Sequence, residues 1–184
     1  HFAALRIAPL RQLVSRPQMS DDEMVAFLER CLIDPTSPRP SVETLLHAFL
    51  PERDIDHTHA DAILSLANTD RGASLVRQAL GDRLVWIPYL QPGFTLSKRV
   101  VEAYQRHPGA HGAVLEKHGL ITWGPDGRTS YRRTIHYVTL AEQYLARQRR
   151  QRGWSSARWT TLPSRQRMAL LRQWLPAIRR TISH

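Results

Sequence analysis

One cysteine stands in 184 residues, Cys31, so no internal disulfide can form and no multi-cysteine metal cage can be built. Any metal held by this chain would need histidine and carboxylate ligands. Long apolar runs are lacking too: stretches such as VLEKHGLITW are broken by charge well short of a bilayer span. No charged-then-apolar N-terminal signal with a small-residue cleavage site is visible, so the chain is read as cytoplasmic, with no membrane partner. Residues 1–40 hold no glycine, and residues 147–184 hold no lysine, aspartate or glutamate.

The formal charge of +10 resembles a nucleic-acid signature until it is located. Ten of the 26 basic residues are arginines between Arg147 and His184. Residues 1–146 are left with 16 basic and 16 acidic residues and are neutral, so the whole excess lies in the tail. Clustered arginine beside Trp154, Trp159 and Trp174 could grip phosphates and stack bases. Binding modules, however, usually spread basic residues over the folded body as well. The tail is therefore read as a solvated Arg-rich linker followed by one amphipathic helix, and nucleic acid is not the expected partner. A hydrophobic fraction of 42% over this length suits one soluble domain with a real core. The expected organisation is a domain over 1–146 and the Arg-rich linker and helix over 147–184.

Periodicity supplies the elements. FAALRIAPLRQLV is apolar at helical spacing but interrupted by Pro9. In MSDDEMVAFLERCLID, Ser20 and Glu23 have capping-box spacing, and Met24, Phe27, Leu28, Cys31 and Leu32 form one stripe, which predicts a helix. DPTSPRP breaks regular structure. SVETLLHAFLP begins with Ser41 as a plausible N-cap and stops at Pro51, which puts Glu43 in a first helical turn. DIDHTH is strand-like, ADAILSLANT returns to helical periodicity, and LVWIPYL reads as a buried strand. LSKRVVEAYQRHP is another helix. GAVLEKHGLITWG is a strand pair or one bent strand with Gly119 in its middle. The long segment beginning SYRRTIHY is helical, with Ile135, Val138, Thr139, Ala141, Glu142 and Leu145 turning around it. Strands alternating with helices predict a layered α/β domain.

The candidates for chemistry are histidines. His57 and His59, at i and i+2 of a strand, project from one face roughly 6.6 Å apart along the chain and could converge on one ion. Zinc would need a third protein ligand and an open position for catalysis. His118 is the best third ligand, on a predicted strand, with Gly119 beside it allowing close approach of backbone or substrate. His47, His107, His111 and His136 are weaker candidates, and His1 and His184 are terminal. Taken alone, an HxH pair is more often a solvated turn. Glu43 has two readings, a carboxylate paired with a helix N-terminus for up to ~1 kcal/mol, or a general acid/base raised toward neutrality by burial. Spacing does not choose between them.

PSVETLLH, DIDHTHADAI, VWIPYLQPG and LEKHGLITWG, in this order and at these intervals, resemble the class II aldolase/adducin-type domain from about Ser20 to Arg147. With the later LPSRQRMALLRQWLPAIR, the likeness is greatest to the aldolase half of bifunctional rhamnulose-phosphate aldolase/alcohol dehydrogenases. The resemblance implies a three-layer α/β/α fold. It implies His57, His59 and His118 as ligands of zinc (or another divalent metal), and Glu43 as the group that shuttles a proton at the reacting carbon. Tyr89 would donate a proton to the aldehyde oxygen from a neighbouring subunit; its other reading is a strand-end core tyrosine. Asp56 is either an orienter of His57 or a strand-edge charge, and the second is preferred. The implied reaction is retro-aldol cleavage of a ketose phosphate, rhamnulose 1-phosphate first, to dihydroxyacetone phosphate and an aldehyde, by a homo-oligomer fused to a short-chain dehydrogenase domain. An epimerase, a dehydratase or a non-catalytic adducin-like interaction module is the alternative. Family members hold the substrate phosphate on Gly-rich loops ahead of the Ser-x-Glu helix. With no glycine in residues 1–40, the chain is expected either to begin midway through the domain or to have lost the phosphate site.

Overall fold

The structure, a computed structural model, describes residues 2–151 and 162–182. Trp154, Trp159 and the linker expected around them lie outside those residues. By its contacts the chain divides into His1–Arg147 and Gln148–His184.

The first unit opens with α1 (Ile7–Gln12), extended by a 3₁₀ turn over Leu13–Ser15. Pro9 does not interrupt it, because it sits in the first turn, where the backbone N–H has no helical partner to lose. α2 (Asp21–Arg30) has the predicted capping box, with the Ser20 hydroxyl and the Glu23 carboxylate each taking the other's backbone N–H. Its stripe buries Met24 and Leu28 with Cys31 beyond them. Next come α3 (Thr44–Phe49), β1 (Asp54–Thr58), α4 (Asp61–Ala67), α5 (Gly72–Leu80), β2 (Leu84–Ile87) and α6 (Phe94–Arg106). The hairpin β3 (Gly112–Leu115) and β4 (Gly119–Gly124) follows, and then α7 (Gly127–Gln151), which runs past Arg147, the last residue of the unit.

The strands form one mixed sheet in the order β1-β4-β3-β2, antiparallel except for β2 beside β3. Alternation along the strands sends side chains to two cores. Leu84, Val114 and Leu120 meet α4, α5 and the Tyr137, Ala141 and Tyr144 stripe of α7. Ile87, Ala113, Leu115, Ile121 and Trp123 meet Leu46 and Leu50 near α3 and Leu96, Val100 and Ala103 of α6. Outside α3 and α6, α1 and α2 bury Leu10, Leu13, Met24 and Leu28. This is the expected three-layer α/β/α arrangement.

Further local expectations need correction. Ser41 is not the helix cap: its hydroxyl accepts the Glu43 N–H and its carbonyl the Thr44 N–H, a tight turn that delays α3 to Thr44 and leaves Glu43 at the N-cap. α5 falls in a stretch with no expected element, because Gly72 at its start reads as a turn signal. Gly72 is there for packing; a Cβ on it would stand 2.8 Å from the Ala67 carbonyl oxygen and 2.9 Å from the Trp86 ring. β2 stops at Ile87, since Pro88 cannot donate to a ladder. On α7 the buried line is Ser130, Tyr137, Ala141 and Tyr144, whereas Ile135, Thr139 and Glu142 are exposed. Thr122 of β4 explains the polar end of that line, as its hydroxyl contacts the Ser130 carbonyl at 3.2 Å and the Thr134 hydroxyl at 2.6 Å.

The second unit contains α8 (Ser164–Ile182), with Pro176 inside it and Leu170, Leu171, Trp174, Leu175 and Ile178 exposed on it. Among the described residues no helix is long and apolar enough to cross a membrane.

Candidate metal centre

β1 pairs with β4 so that Ile55 lies opposite Trp123 and His57 opposite Ile121. Opposed residues of an antiparallel pair share a face, so His57 points to the side covered by α3 and α6. His59 follows one residue past the end of β1 on the same alternation. The turn that ends at Thr44 sets Glu43 at the start of α3, against that face. His118 is not on a strand, contrary to expectation: it is the last residue of the three-residue turn Glu116–Lys117–His118 between β3 and β4. The turn closes with a His118 N–H to Leu115 carbonyl bond of 3.1 Å and needs Lys117 at φ +56°.

These elements bring Glu43, His57, His59 and His118 together, one donor atom from each within 4.8 Å of all the others. The three imidazole rings stand at the corners of an equilateral triangle with centroids 4.9 Å apart. Their Nε2 atoms point inward, 3.1 Å between His57 and His59 and 3.3 Å between His57 and His118. Glu43 Oε1 is 2.6 Å from His118 Nε2, 3.3 Å from His57 Nε2 and 3.9 Å from His59 Nε2. The side chains of His57 and His118 are 7% exposed, that of Glu43 23% and that of His59 56%, so the centre opens to solvent on the His59 side.

The donor set fits a divalent metal. Nitrogens about 2.0–2.1 Å from a tetrahedral zinc stand roughly 3.3–3.4 Å apart, close to the separations seen. His57 Nδ1 lies 3.0 Å from the Leu120 carbonyl, which can only accept, so Nδ1 carries the proton and Nε2 offers its lone pair inward. Inward-facing lone pairs and a carboxylate at these distances repel unless a proton or a cation lies among them. His118 Nδ1, by contrast, is buried without a hydrogen-bond partner among the described residues.

Burial pushes His57 below its ordinary pKa, against the opposing pull of Glu43 and the bond to the Leu120 carbonyl. For Glu43 burial pushes upward, but the charge of His57, the His118 hydrogen bond and the charges of His118 and His59 outweigh it. The Glu43 carboxyl is thus held below the usual glutamate range, the reverse of the rise expected from burial alone.

The matches with known proteins run through the same residues. Residues 12–145 match the model of the Class II Aldolase and Adducin N-terminal domain. The chain belongs to this family. It is 44% identical, over its whole length, to a Bacillus subtilis protein described as the uncharacterized oxidoreductase YuxG, of which it spans 27%. A solved structure, the N-terminal class II aldolase domain of a conserved protein from Thermoplasma acidophilum, superposes with a TM-score of 0.72 at 41% identity. That superposition covers 78% of this chain and 66% of the other. A class II aldolase domain of this family, with a His/Glu cluster able to bind a metal ion, is therefore what the chain contains.

Tyr89 is not a strand-end core residue. It lies in the loop beyond β2, is 54% exposed, and its hydroxyl has no hydrogen bond among the described residues. Its backbone N–H donates to the Glu116 carboxylate at 2.9 Å. The orienter of His57 is the Leu120 carbonyl rather than Asp56, whose charge acts instead on His47. His111 is outside the cluster, with its Nδ1 2.8 Å from the Tyr137 hydroxyl. The sequence reading missed both Leu120 and Glu116. A backbone acceptor leaves no signature in residue type, and an acid in a KHG turn reads as solvated charge.

Proposed function

We propose that this domain is a metal-dependent lyase that cleaves a ketose phosphate to dihydroxyacetone phosphate and an aldehyde, with rhamnulose 1-phosphate as the first substrate to try. The observation that carries the reading is the inward convergence of three imidazole Nε2 atoms beside one carboxylate. His57, His59 and His118 would hold the ion, zinc being the best match to three nitrogens at these separations. When bound, the metal supplies Lewis-acid polarisation of the ketose carbonyl and hydroxyl.

The chain's own groups account for the protons. Cleavage leaves the carbon beside the ketose carbonyl electron-rich, and Glu43, on the α3 side of the cluster, delivers a proton there. Its depressed pKa makes it a carboxylate at neutral pH, the form that removes that proton in the condensation direction; in cleavage it passes on a proton first taken up from solvent. Tyr89 donates its phenol proton to the aldehyde oxygen in condensation, and in cleavage its phenolate accepts that proton back from the hydroxyl that becomes the aldehyde. Its exposure is consistent with service to a neighbouring subunit of a homo-oligomer. The oxidoreductase description of the longer Bacillus subtilis relative, together with the 27% of it spanned here, supports fusion to a short-chain dehydrogenase domain in the gene product.

The test is a cleavage assay over a panel of ketose phosphates with metal-loaded and chelated protein. Metal-dependent release of dihydroxyacetone phosphate, reduced about 10²–10⁴-fold in kcat by Glu43→Gln with metal retained, is the expected result. Epimerisation or dehydration of the panel without carbon–carbon cleavage would overturn it.

A further inference from the structure

We propose that Glu116 is a positioning residue whose carboxylate ties the loop carrying Tyr89 to the turn carrying His118. β2 and β3 run parallel with Ile87 opposite Leu115, and the ladder goes one step further, Glu116 N–H to the Ile87 carbonyl at 2.9 Å. There the two segments part. One turns through Glu116, Lys117 and His118 into β4. The other passes through Pro88, which has no N–H, to Tyr89. The Tyr89 amide is thus the first donor beyond β2, and no strand faces it.

Glu116 Oε2 fills that place, accepting the Tyr89 N–H at 2.9 Å. A carboxylate accepting a backbone N–H makes a shorter and roughly twice stronger bond than a neutral acceptor. The linkage is also short. Glu116 grips Tyr89 at its own amide, and only Lys117, at φ +56°, separates Glu116 from His118. Pro88 and Pro92 restrict the loop at both ends. Through this contact the position of the His118 turn sets where the Tyr89 hydroxyl is presented. The catalytic part of the inference rests on the proton-transfer reading of Tyr89 above, and the structural part on the loop geometry alone.

Glu116→Ala in the metal-loaded full chain tests both. Exchange of the Tyr89 amide should quicken about tenfold or more, the factor of a lost hydrogen bond to a charged group, with metal stoichiometry unchanged. Glu116→Gln, whose amide oxygen still accepts, should restore most of the protection. Glu116→Asp, one methylene shorter but still charged, should exchange faster than Glu116→Gln even if the alanine variant folds poorly. In cleavage kinetics Glu116→Ala should lower kcat at unchanged KM, and Tyr89→Phe should then cost less than it does in the wild-type background. Unchanged Tyr89 exchange in Glu116→Ala, or no difference between the Asp and Gln variants, overturns the inference, as does full additivity with Tyr89→Phe. A wild-type chain that cleaves no ketose phosphate would remove the lyase reading, while the exchange measurement would still decide the role of Glu116.

Discussion

Gly119 runs so close to β1 that a Cβ on it would stand 2.5 Å from the Thr58 carbonyl oxygen. The same Cβ would meet His59 Cδ2 at 3.0 Å and His57 Cε1 at 3.3 Å. The hairpin that presents His118 can thus reach the HxH segment only because residue 119 has no side chain. Gly119→Ala must push the backbones apart and spread the ligands, at a cost of about 1–3 kcal/mol for overpacking. The variant should have a lower Tm and bind metal well below one ion per chain; full metal content would show that the close approach does not build the centre.

The metal centre makes the sharpest prediction. Wild-type protein should hold about one zinc per chain, and His57→Ala, His59→Ala and His118→Ala should each remove it. His111→Ala should leave it in place, because His111 is committed to the Tyr137 hydroxyl. Metal content of the purified variants by elemental analysis is the check, and a His57→Ala protein with full occupancy refutes the ligand set.

Metal-free protein should lose stability as the pH falls below about 6.5. Burial lowers the native pKa of His57, and burial with the charges of Arg133 and Arg83 lowers that of His111. Between the lowered and ordinary values the unfolded chain holds more protons than the native one, so stability rises with pH there. The contribution is fully present above about pH 6.5, the ordinary histidine value, and is lost on acidification below it. Urea midpoints of chelated protein against pH should follow that direction, and His111→Gln should flatten the slope. A slope of opposite sign would contradict the buried-neutral assignment. Metal affinity should fall over the same range, because protons compete for the ligand nitrogens.

Lys117 holds a left-handed backbone that a side chain disfavours. Lys117→Gly should raise stability by about 0.5–1 kcal/mol, the relief of strain being partly offset by the entropy of the freer unfolded chain. Metal content should not change, since the turn geometry that aims His118 is kept. Denaturation midpoints compare the two proteins, and a less stable glycine variant would mean the side chain contributes more than the strain costs.

Much of this architecture was legible in the sequence. The α2 stripe and capping box, the alternation of β1 and the helical face of α6 follow from local patterns that persist when the chain folds. The four motifs in order also pointed to the family and to the residues that cluster. The errors have a common character. Ser41 reads as a helix cap because serine caps helices, yet here its hydroxyl closes a turn that leaves Glu43 outside the helix. His118 reads as a strand residue because apolar residues flank KHG, yet the hairpin reverses there. In α7 the residues from Ile135 to Leu145 mark helical turns but not the buried face; the buried line is set by which face the sheet covers and includes Ser130, bonded to Thr122.

By itself the sequence determined the residue types available for chemistry: one cysteine, so no thiolate cage, and an HxH pair with an acid upstream and a histidine far downstream. It also determined the periodicities that make strands and helices, because those are properties of neighbours in the chain. Only the tertiary structure decided that His57 Nε2 and His118 Nε2 lie 3.3 Å apart across 61 residues of chain. The same packing decided that the Leu120 carbonyl selects the His57 tautomer and that Glu43 is lowered rather than raised. Those outcomes depend on distances between segments, and a pKa answers to the charges that folding brings beside it.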